Sequence, residues 1–218
     1  MLSEKKKTLF AFLLLLVSLY FWSSVWMFPL RLLTVFFHEI SHGIAAEVSG
    51  GKMLRIDVNL DESGTCWTAG GNRLLVLSAG YLGSLLWGGV LLIIAARTDW
   101  DKKTLAALGF ILVAVTIFYV RNSSGFAFGL ASGFFLIVLS SSLSHYSCDI
   151  FLRFLGLTSC LFVIFDIKSD LIDRSVPESD AFKMASYLHL PDKLVGFLWL
   201  AAAIFLTYKI VLYSLKKE

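Results

Sequence analysis

The sequence predicts an all-α polytopic membrane protein with six or seven transmembrane helices and one short β-hairpin. Three observations predict this fold: the composition, a series of long apolar segments, and one polar region with a strand-like alternation. Hydrophobic residues make up 57% of the chain and charged residues only 16%, with a mean hydropathy of +0.77. A soluble domain has about 45–50% apolar and about 25% charged residues, so we expect one integral membrane domain over residues 1–218.

Seven apolar segments approach the length of about 20 residues that a helix needs to cross a bilayer. Lysines lie near both chain ends, and the positive-inside rule puts both ends in the cytoplasm only if the number of crossings is even. One segment is therefore expected to be re-entrant or merged with a neighbour, which leaves six or seven crossings. The segments cover residues 8–28, 30–48, 74–96, 105–120, 126–143, 150–165 and 194–215.

The first apolar segment has some features of a signal peptide, because Lys5, Lys6 and Lys7 precede it. It continues to Phe28 without a small-residue cleavage site, so we expect a retained span in a multi-pass protein. The net charge of +3 is small and spread among the loops, which argues against a nucleic-acid partner. The lipid bilayer is the expected surrounding.

Residues 50–72 differ from the apolar segments on either side. Leu54, Ile56, Val58 and Leu60 alternate with polar residues, which is the period of a β-strand with one buried face. The Glu-Ser-Gly sequence that follows them predicts a turn, and the next four residues can return as a second strand. The sequence therefore predicts a β-hairpin between the second and third apolar segments.

A five-residue motif, His38-Glu39-Ile40-Ser41-His42, lies inside the second apolar segment. On a helix, residues i and i+4 share a face, so His38 and His42 can bind one metal ion with Glu39 beside it. The short motif occurs by chance in other proteins, but ionisable groups are costly in hydrocarbon and usually functional there. We therefore predict a site for one Zn²⁺ ion, with Glu39 as the catalytic base.

The third protein ligand of such a site has to come from elsewhere in the chain. Asp166 directly follows an apolar run, and we expect it to be this ligand because a metal would compensate an aspartate in that setting. Asp170 lies four residues later on the same helical face and is the alternative ligand, or a partner that orients one. Asp173 and Asp180 lie in a polar stretch and are expected to be solvated.

The remaining histidines and cysteines are weaker candidates for metal ligands. His145 and His189 lie at predicted membrane boundaries or in loops, where polar residues are common. Cys66, Cys148 and Cys160 show no CxxC spacing, so we expect them to pack as small apolar side chains.

Several segments together resemble the site-2 protease family of intramembrane zinc metalloproteases, in particular its short B-like branch. The resemblance covers most of the chain. The zinc-binding helix of the family is similar to residues 37–43, its membrane-associated strands to the hairpin that ends at residues 64–65, and its small-residue turn to residues 78–84. Residues 165–167 and 179–181 resemble its distal segment.

The resemblance implies that His38 and His42 bind zinc, that Glu39 is catalytic and that Asp166 is the distal ligand. The chain departs from the family pattern in two places. Asp166 is followed by isoleucine where the family has glycine, and no Asn-Pro pair occurs anywhere in the sequence. The second departure leaves no evident side chain to stabilise an oxyanion.

The expected activity is intramembrane hydrolysis of peptide bonds in transmembrane protein substrates. A substrate helix must unwind before cleavage, and the hairpin edge at Leu54, Ile56 and Val58 could bind the extended segment as an added strand. Two alternatives stay open at this stage. One is a catalytically inactive scaffold that binds transmembrane partners. The other is a metal transporter, which would need ionisable residues along a path across several spans.

Overall fold

Eight α-helices and one two-stranded sheet form the part of the chain that the computed structural model describes, residues 4–168 and 179–215. The elements follow in the order α1 (Glu4–Tyr20), α2 (Phe28–Val48), β1 (Lys52–Val58), β2 (Gly64–Ala69), α3 (Arg73–Arg97), α4 (Asp101–Tyr119), α5 (Ser123–Ser142), α6 (His145–Lys168), α7 (Asp180–Leu188) and α8 (Asp192–Leu215). This architecture confirms the expected all-α polytopic fold with a single hairpin.

Five of the described helices, α3, α4, α5, α6 and α8, are long and apolar enough to cross a membrane. The two other apolar segments of the sequence form α1 and α2. The first segment does not stay helical to Phe28, because α1 ends at Tyr20 and a 3₁₀ turn at Val25–Met27 precedes α2. Pro29 lies in the first turn of α2, where its missing N–H costs no helical hydrogen bond. A sixth or seventh crossing stays a prediction.

Helix α2 lies against the hairpin and α3, and most of its length is buried. Phe36, Phe37 and Ile40 are almost fully buried in a core that also contains Ile56 and Val58 of β1. Helices α4, α5 and α6 contribute further apolar side chains to this core. The motif helix is therefore fixed by apolar packing on one side, while its polar residues face α3 and α7.

A second apolar cluster packs α7 and α8 onto α3 and α6. It contains Tyr81 and Leu85 of α3, Val163 of α6, and Ala181 and Ala185 of α7, all nearly inaccessible to solvent. Because α7 is only one short amphipathic helix, this cluster determines how it lies against α3. It thereby sets the position of the first residue of α7.

The hairpin follows the predicted alternation with one interruption. Its strands pair antiparallel, with Ile56 opposite Cys66, and the register shifts between Met53 and Arg55. Ile56 and Val58 are fully buried, but Leu54 at the irregularity is 54% exposed. The sequence pattern thus predicted the strands correctly and missed the bulge, which turns one apolar side chain outward.

A buried polar cluster joins α1 to α6 far from the motif. Arg153 is fully buried and donates hydrogen bonds to Asp149, to the Thr8 hydroxyl and to the Ala95 carbonyl oxygen. Lys7 also forms an ion pair with Asp149. Buried charges are tolerated when they are paired and hydrogen-bonded in this way.

Replacing Arg153 by methionine should destabilise the protein, because Asp149 would lose one of its partners in a buried environment. Breaking a buried pair costs about 3–5 kcal/mol, so we expect a clearly lower melting temperature in detergent. Lys103→Met is the matched control, since Lys103 is exposed on α4. Equal melting temperatures for the two variants would contradict a stabilising role for this cluster.

Candidate metal centre

Helix α2 holds the two histidines of the motif on one face. The rings of His38 and His42 have centroids 4.8 Å apart, and the Nε2 atom of each lies 2.9 Å from Oδ2 of Asp180. The three donor atoms all lie within 4.8 Å of one another. Two imidazole nitrogens and a carboxylate oxygen are a donor set that zinc commonly uses.

Asp180 reaches the histidines because it is the first residue of α7. Ser179 caps the helix by accepting a hydrogen bond from the Phe182 backbone N–H, and α7 packs through Ala181 and Ala185. The Asp180 side chain is only 12% exposed, so the expectation that it is solvated was wrong. Burial alone would raise the pKa of Asp180, but the imidazoles of His42 and His38 outweigh it and hold that pKa below its usual range.

Asp166 occupies a different position from the one expected for a third ligand. Its Oδ2 atom lies 4.0 Å from Nδ1 of His38, on the side of the ring away from Asp180. The geometry therefore favours Asp180 over Asp166 as the donor that completes the cluster. The physical reason is that α6 places the Asp166 carboxylate on the Nδ1 side of His38. The first residue of α7 instead places the Asp180 carboxylate next to Nε2 of both imidazoles. Asp170, the alternative ligand, lies outside the described residues.

The hydrogen bond of His42 determines which ring nitrogen is available to a metal. Its Nδ1 atom lies 2.7 Å from the backbone oxygen of Val76 in α3. A carbonyl oxygen can only accept, so Nδ1 carries the proton and the Nε2 lone pair of a neutral His42 points at the Asp180 carboxylate. Two acceptors that face each other at 2.9 Å need a cation or a proton between them. A zinc ion fits this requirement.

Binding of a tetrahedral ion would change the spacing of the three donor atoms. Zinc bonds of about 2.0–2.2 Å separate neighbouring ligand atoms by about 3.4 Å. The two 2.9 Å spacings from Asp180 would therefore widen by about 0.5 Å, and the two histidine nitrogens would have to lie about 3.4 Å from each other as well. The residues present fit the metal.

Gly80 of α3 makes room for the cluster. A Cβ atom at this position would lie 2.3 Å from Nε2 of His38 and 2.5 Å from Oδ2 of Asp180. Any side chain here would displace one of the two donors. In the sequence this glycine belongs to residues 78–84, which resemble a small-residue turn, and the structure adds that it lies directly against the donor atoms.

Glu39 lies beside the cluster and is 5% exposed. Among the described residues, none donates a hydrogen bond to its carboxylate. Gly64, at the start of β2, lies so close that a Cβ atom there would be 2.4 Å from Oε1 of Glu39. The carboxylate therefore lies between the histidines and the hairpin, and its oxygens have capacity to accept protons from water.

A cavity of about 680 Å³ opens onto the cluster. It is lined by the motif residues, by Asp166, Asp180 and Lys183, and by β2 residues that include Thr65 and Cys66. Burial, together with the charges of Glu39 and Asp180, raises the pKa of Cys66 to about 12. Cys66 lies in the cavity wall and is not part of the cluster of three donors among the described residues.

The structure alters the expected substrate-binding edge. The outer edge of β1 is partly covered, because the Arg121 backbone N–H donates to the Ile56 oxygen and the Asn122 side chain bonds both backbone groups of Val58. Ile56 and Val58 also point into the core, so of the three expected residues only Leu54 is exposed. Within the described part of the chain, β2 pairs only with β1, and Gly64, Thr65, Cys66 and Thr68 of β2 line the cavity.

The comparison with protein families matches the Peptidase M50B-like family over residues 10–210, which is most of the chain. The chain belongs to the Peptidase M50B-like family. This is a family of the site-2 protease type, so the resemblance inferred from the motifs is confirmed. Comparisons with curated proteins and with solved structures gave no match.

Membership in the Peptidase M50B-like family also bears on three residues near the histidines that the sequence motif does not include. The family consists of zinc metalloproteases of membranes, and the chain is a multi-pass membrane protein. Val76, Gly80 and Asp180 lie against the two histidines but were not selected as site residues from the sequence. A usable signal existed for Asp180, since Ser179-Asp180-Ala181 was part of the resemblance to the distal segment.

Replacing Gly80 by alanine should lower zinc occupancy, because the new methyl group overlaps donor atoms of His38 and Asp180. Zinc content of the purified protein, measured by mass spectrometry, tests this. Gly89→Ala on the same helix is the matched control, since its Cβ would meet only the flexible end of Ile210. Full zinc occupancy in Gly80→Ala would contradict the proposed position of the ion.

Proposed function

We propose that the protein is an intramembrane zinc endopeptidase in which His38, His42 and Asp180 hold one Zn²⁺ ion and Glu39 is the general base. The observation that carries this proposal is the meeting of Asp180 with both imidazoles beside a buried carboxylate and an open cavity. The family membership supports the reaction class. Transmembrane proteins in the lipid bilayer are the proposed substrates.

Each residue has a distinct task in this reaction. Bound at the three donors, zinc would supply a Lewis acid that lowers the pKa of a water molecule to about 7. Glu39 accepts a proton from the attacking water and later delivers it to the leaving amine nitrogen. The Val76 carbonyl oxygen holds His42 in the tautomer that presents Nε2.

Asp166 is proposed to act through His38 rather than as a ligand itself. A carboxylate near Nδ1 of a ligating histidine orients the ring and increases its basicity. The separation of 4.0 Å is longer than a hydrogen bond, and a small rotation of either side chain would close it. This places one orienting acceptor behind each histidine, a carboxylate for His38 and a backbone carbonyl for His42.

The exposed edge of β2 is the proposed place for an unwound substrate segment. Backbone groups on a free strand edge can pair with an extended peptide, and β2 begins next to Glu39. A peptide bound there would pass in front of the metal centre. The segment proposed from the sequence, at Leu54, Ile56 and Val58, is replaced by this edge.

Asp180→Asn should abolish stoichiometric zinc binding, whereas Asp166→Asn should weaken it by about 10–100-fold, the usual cost of losing an orienting partner. Zinc affinity measured by competition with a chromophoric chelator separates the two. If Asp166→Asn loses zinc completely and Asp180→Asn keeps it, the ligand assignment has to be reversed. A wild-type protein that binds no zinc would favour the inactive scaffold.

Glu39→Gln should retain zinc and lose proteolysis, because the amide cannot accept the proton of the attacking water. Cleavage of a transmembrane substrate in proteoliposomes measures the activity, and zinc content measured on the same sample shows that the site is intact. Proteolysis at the wild-type rate by this variant would refute the role of Glu39.

A photoreactive amino acid at Thr65 of β2 should crosslink to substrate in the Glu39→Gln background, and one at Leu54 of β1 should not. Both positions are exposed, so accessibility alone does not separate them. The expected difference arises because the β2 edge borders the cavity, whereas the β1 edge is partly covered. Crosslinking at Leu54 alone would contradict binding along β2.

A further inference from the structure

Hydrolysis of a peptide bond requires a group that stabilises negative charge on the carbonyl oxygen. The sequence contains no Asn-Pro pair, which removes the side chain that the resemblance would offer for this task. Any substitute has to line the same cavity as Glu39 and carry a donor or a positive charge. The cavity-lining residues therefore define the candidates.

Lys183 is the only lysine or arginine among the described residues that line the cavity. It lies three residues after Asp180 on α7, and residues with this spacing are neighbours on one helix face with Cβ atoms about 5–6 Å apart. Its side chain is partly buried. Lys183 and Glu39 therefore line the same cavity.

The packing of α7 directs Lys183 toward the cavity. Ala181, Met184 and Ala185 occupy the buried face of the short helix, against α3 and α8. Asp180 and Lys183 are the charged members of its other face that line the cavity. The packing of α7 that places Asp180 next to the histidines therefore also places Lys183 in the wall of the cavity beside them.

We propose that Lys183 is a catalytic residue that stabilises the oxyanion formed when water attacks the substrate carbonyl. This proposal rests on the proposed function. The water oxygen forms a bond to the carbonyl carbon, its proton passes to Glu39, and the carbonyl π electrons move to the oxygen, which pairs with the Lys183 ammonium. When the C–N bond breaks, the electron pair on that oxygen restores the carbonyl, and the nitrogen takes the proton from Glu39.

A cation held where negative charge develops is effective in this role, because it interacts more strongly with the transition state than with the substrate. Loss of one such donor typically lowers kcat by about 10²–10³-fold. Tyr81 is the rival donor in the same cavity, since its ring packs edge-on against His38 at a centroid distance of 5.2 Å.

The test compares Lys183→Met, Lys183→Arg, Tyr81→Phe and the control Lys193→Met, which removes an exposed lysine outside the cavity. We expect Lys183→Met to keep stoichiometric zinc and nearly the wild-type KM, but to lose about 10²–10³-fold in kcat. Lys183→Arg should recover part of the rate. Binding of a phosphinic peptide, an analogue of the tetrahedral anion, should weaken in Lys183→Met by a similar factor, whereas binding of the uncleaved substrate should not.

Three outcomes would overturn the proposal. In the first, Lys183→Met changes only KM. In the second, phosphinic peptide affinity is unchanged in Lys183→Met. In the third, kcat falls in Tyr81→Phe but not in Lys183→Met. In each case the wild-type protein still cleaves, so the proposed peptidase activity stands without this role for Lys183. If the zinc-loaded wild-type protein cleaves no substrate, the proposed function and the role of Lys183 both fail.

Discussion

The contact between Asp180 and the two imidazoles of α2 is the interaction on which the rest of the site depends. Asp180 lies 142 positions after His38 in the chain, and the packing of the short helix α7 against α3 brings the two together. The remaining features of the site fit around it. Gly80 leaves room for the donors, the Val76 oxygen fixes the His42 tautomer, and Glu39 lies beside the cluster next to the hairpin.

This arrangement explains how a cluster of ionisable residues can exist within an apolar protein. Each ionisable group near the centre has a partner or an open cavity, so its desolvation is compensated. The histidines face Asp180, and Asp166 lies behind His38. The hairpin closes one side of the cavity and offers a free strand edge there. The same elements therefore hold the site together and, in the proposed function, bind the extended substrate segment.

The sequence allowed most of the fold to be predicted, because apolar length and strand alternation are local patterns. The motif on α2 was equally local, since i and i+4 share a helix face whatever surrounds the helix. The position of Asp180 was not predictable from such patterns. It depends on how α7 folds back, and its polar neighbours in sequence suggested solvent. Asp166 directly follows an apolar run, so the sequence favoured it as the third ligand. In the structure its carboxylate lies near Nδ1 of His38 and not between the two histidines.

The central claim is that one zinc ion lies between His38, His42 and Asp180. An anomalous difference map at the zinc edge, from crystals of the zinc-loaded protein, tests it most directly. We expect one peak about 2.0–2.2 Å from Nε2 of both histidines and from a carboxylate oxygen of Asp180. A peak bound by Asp166 instead of Asp180, or the absence of a peak beside the histidines, would contradict the account.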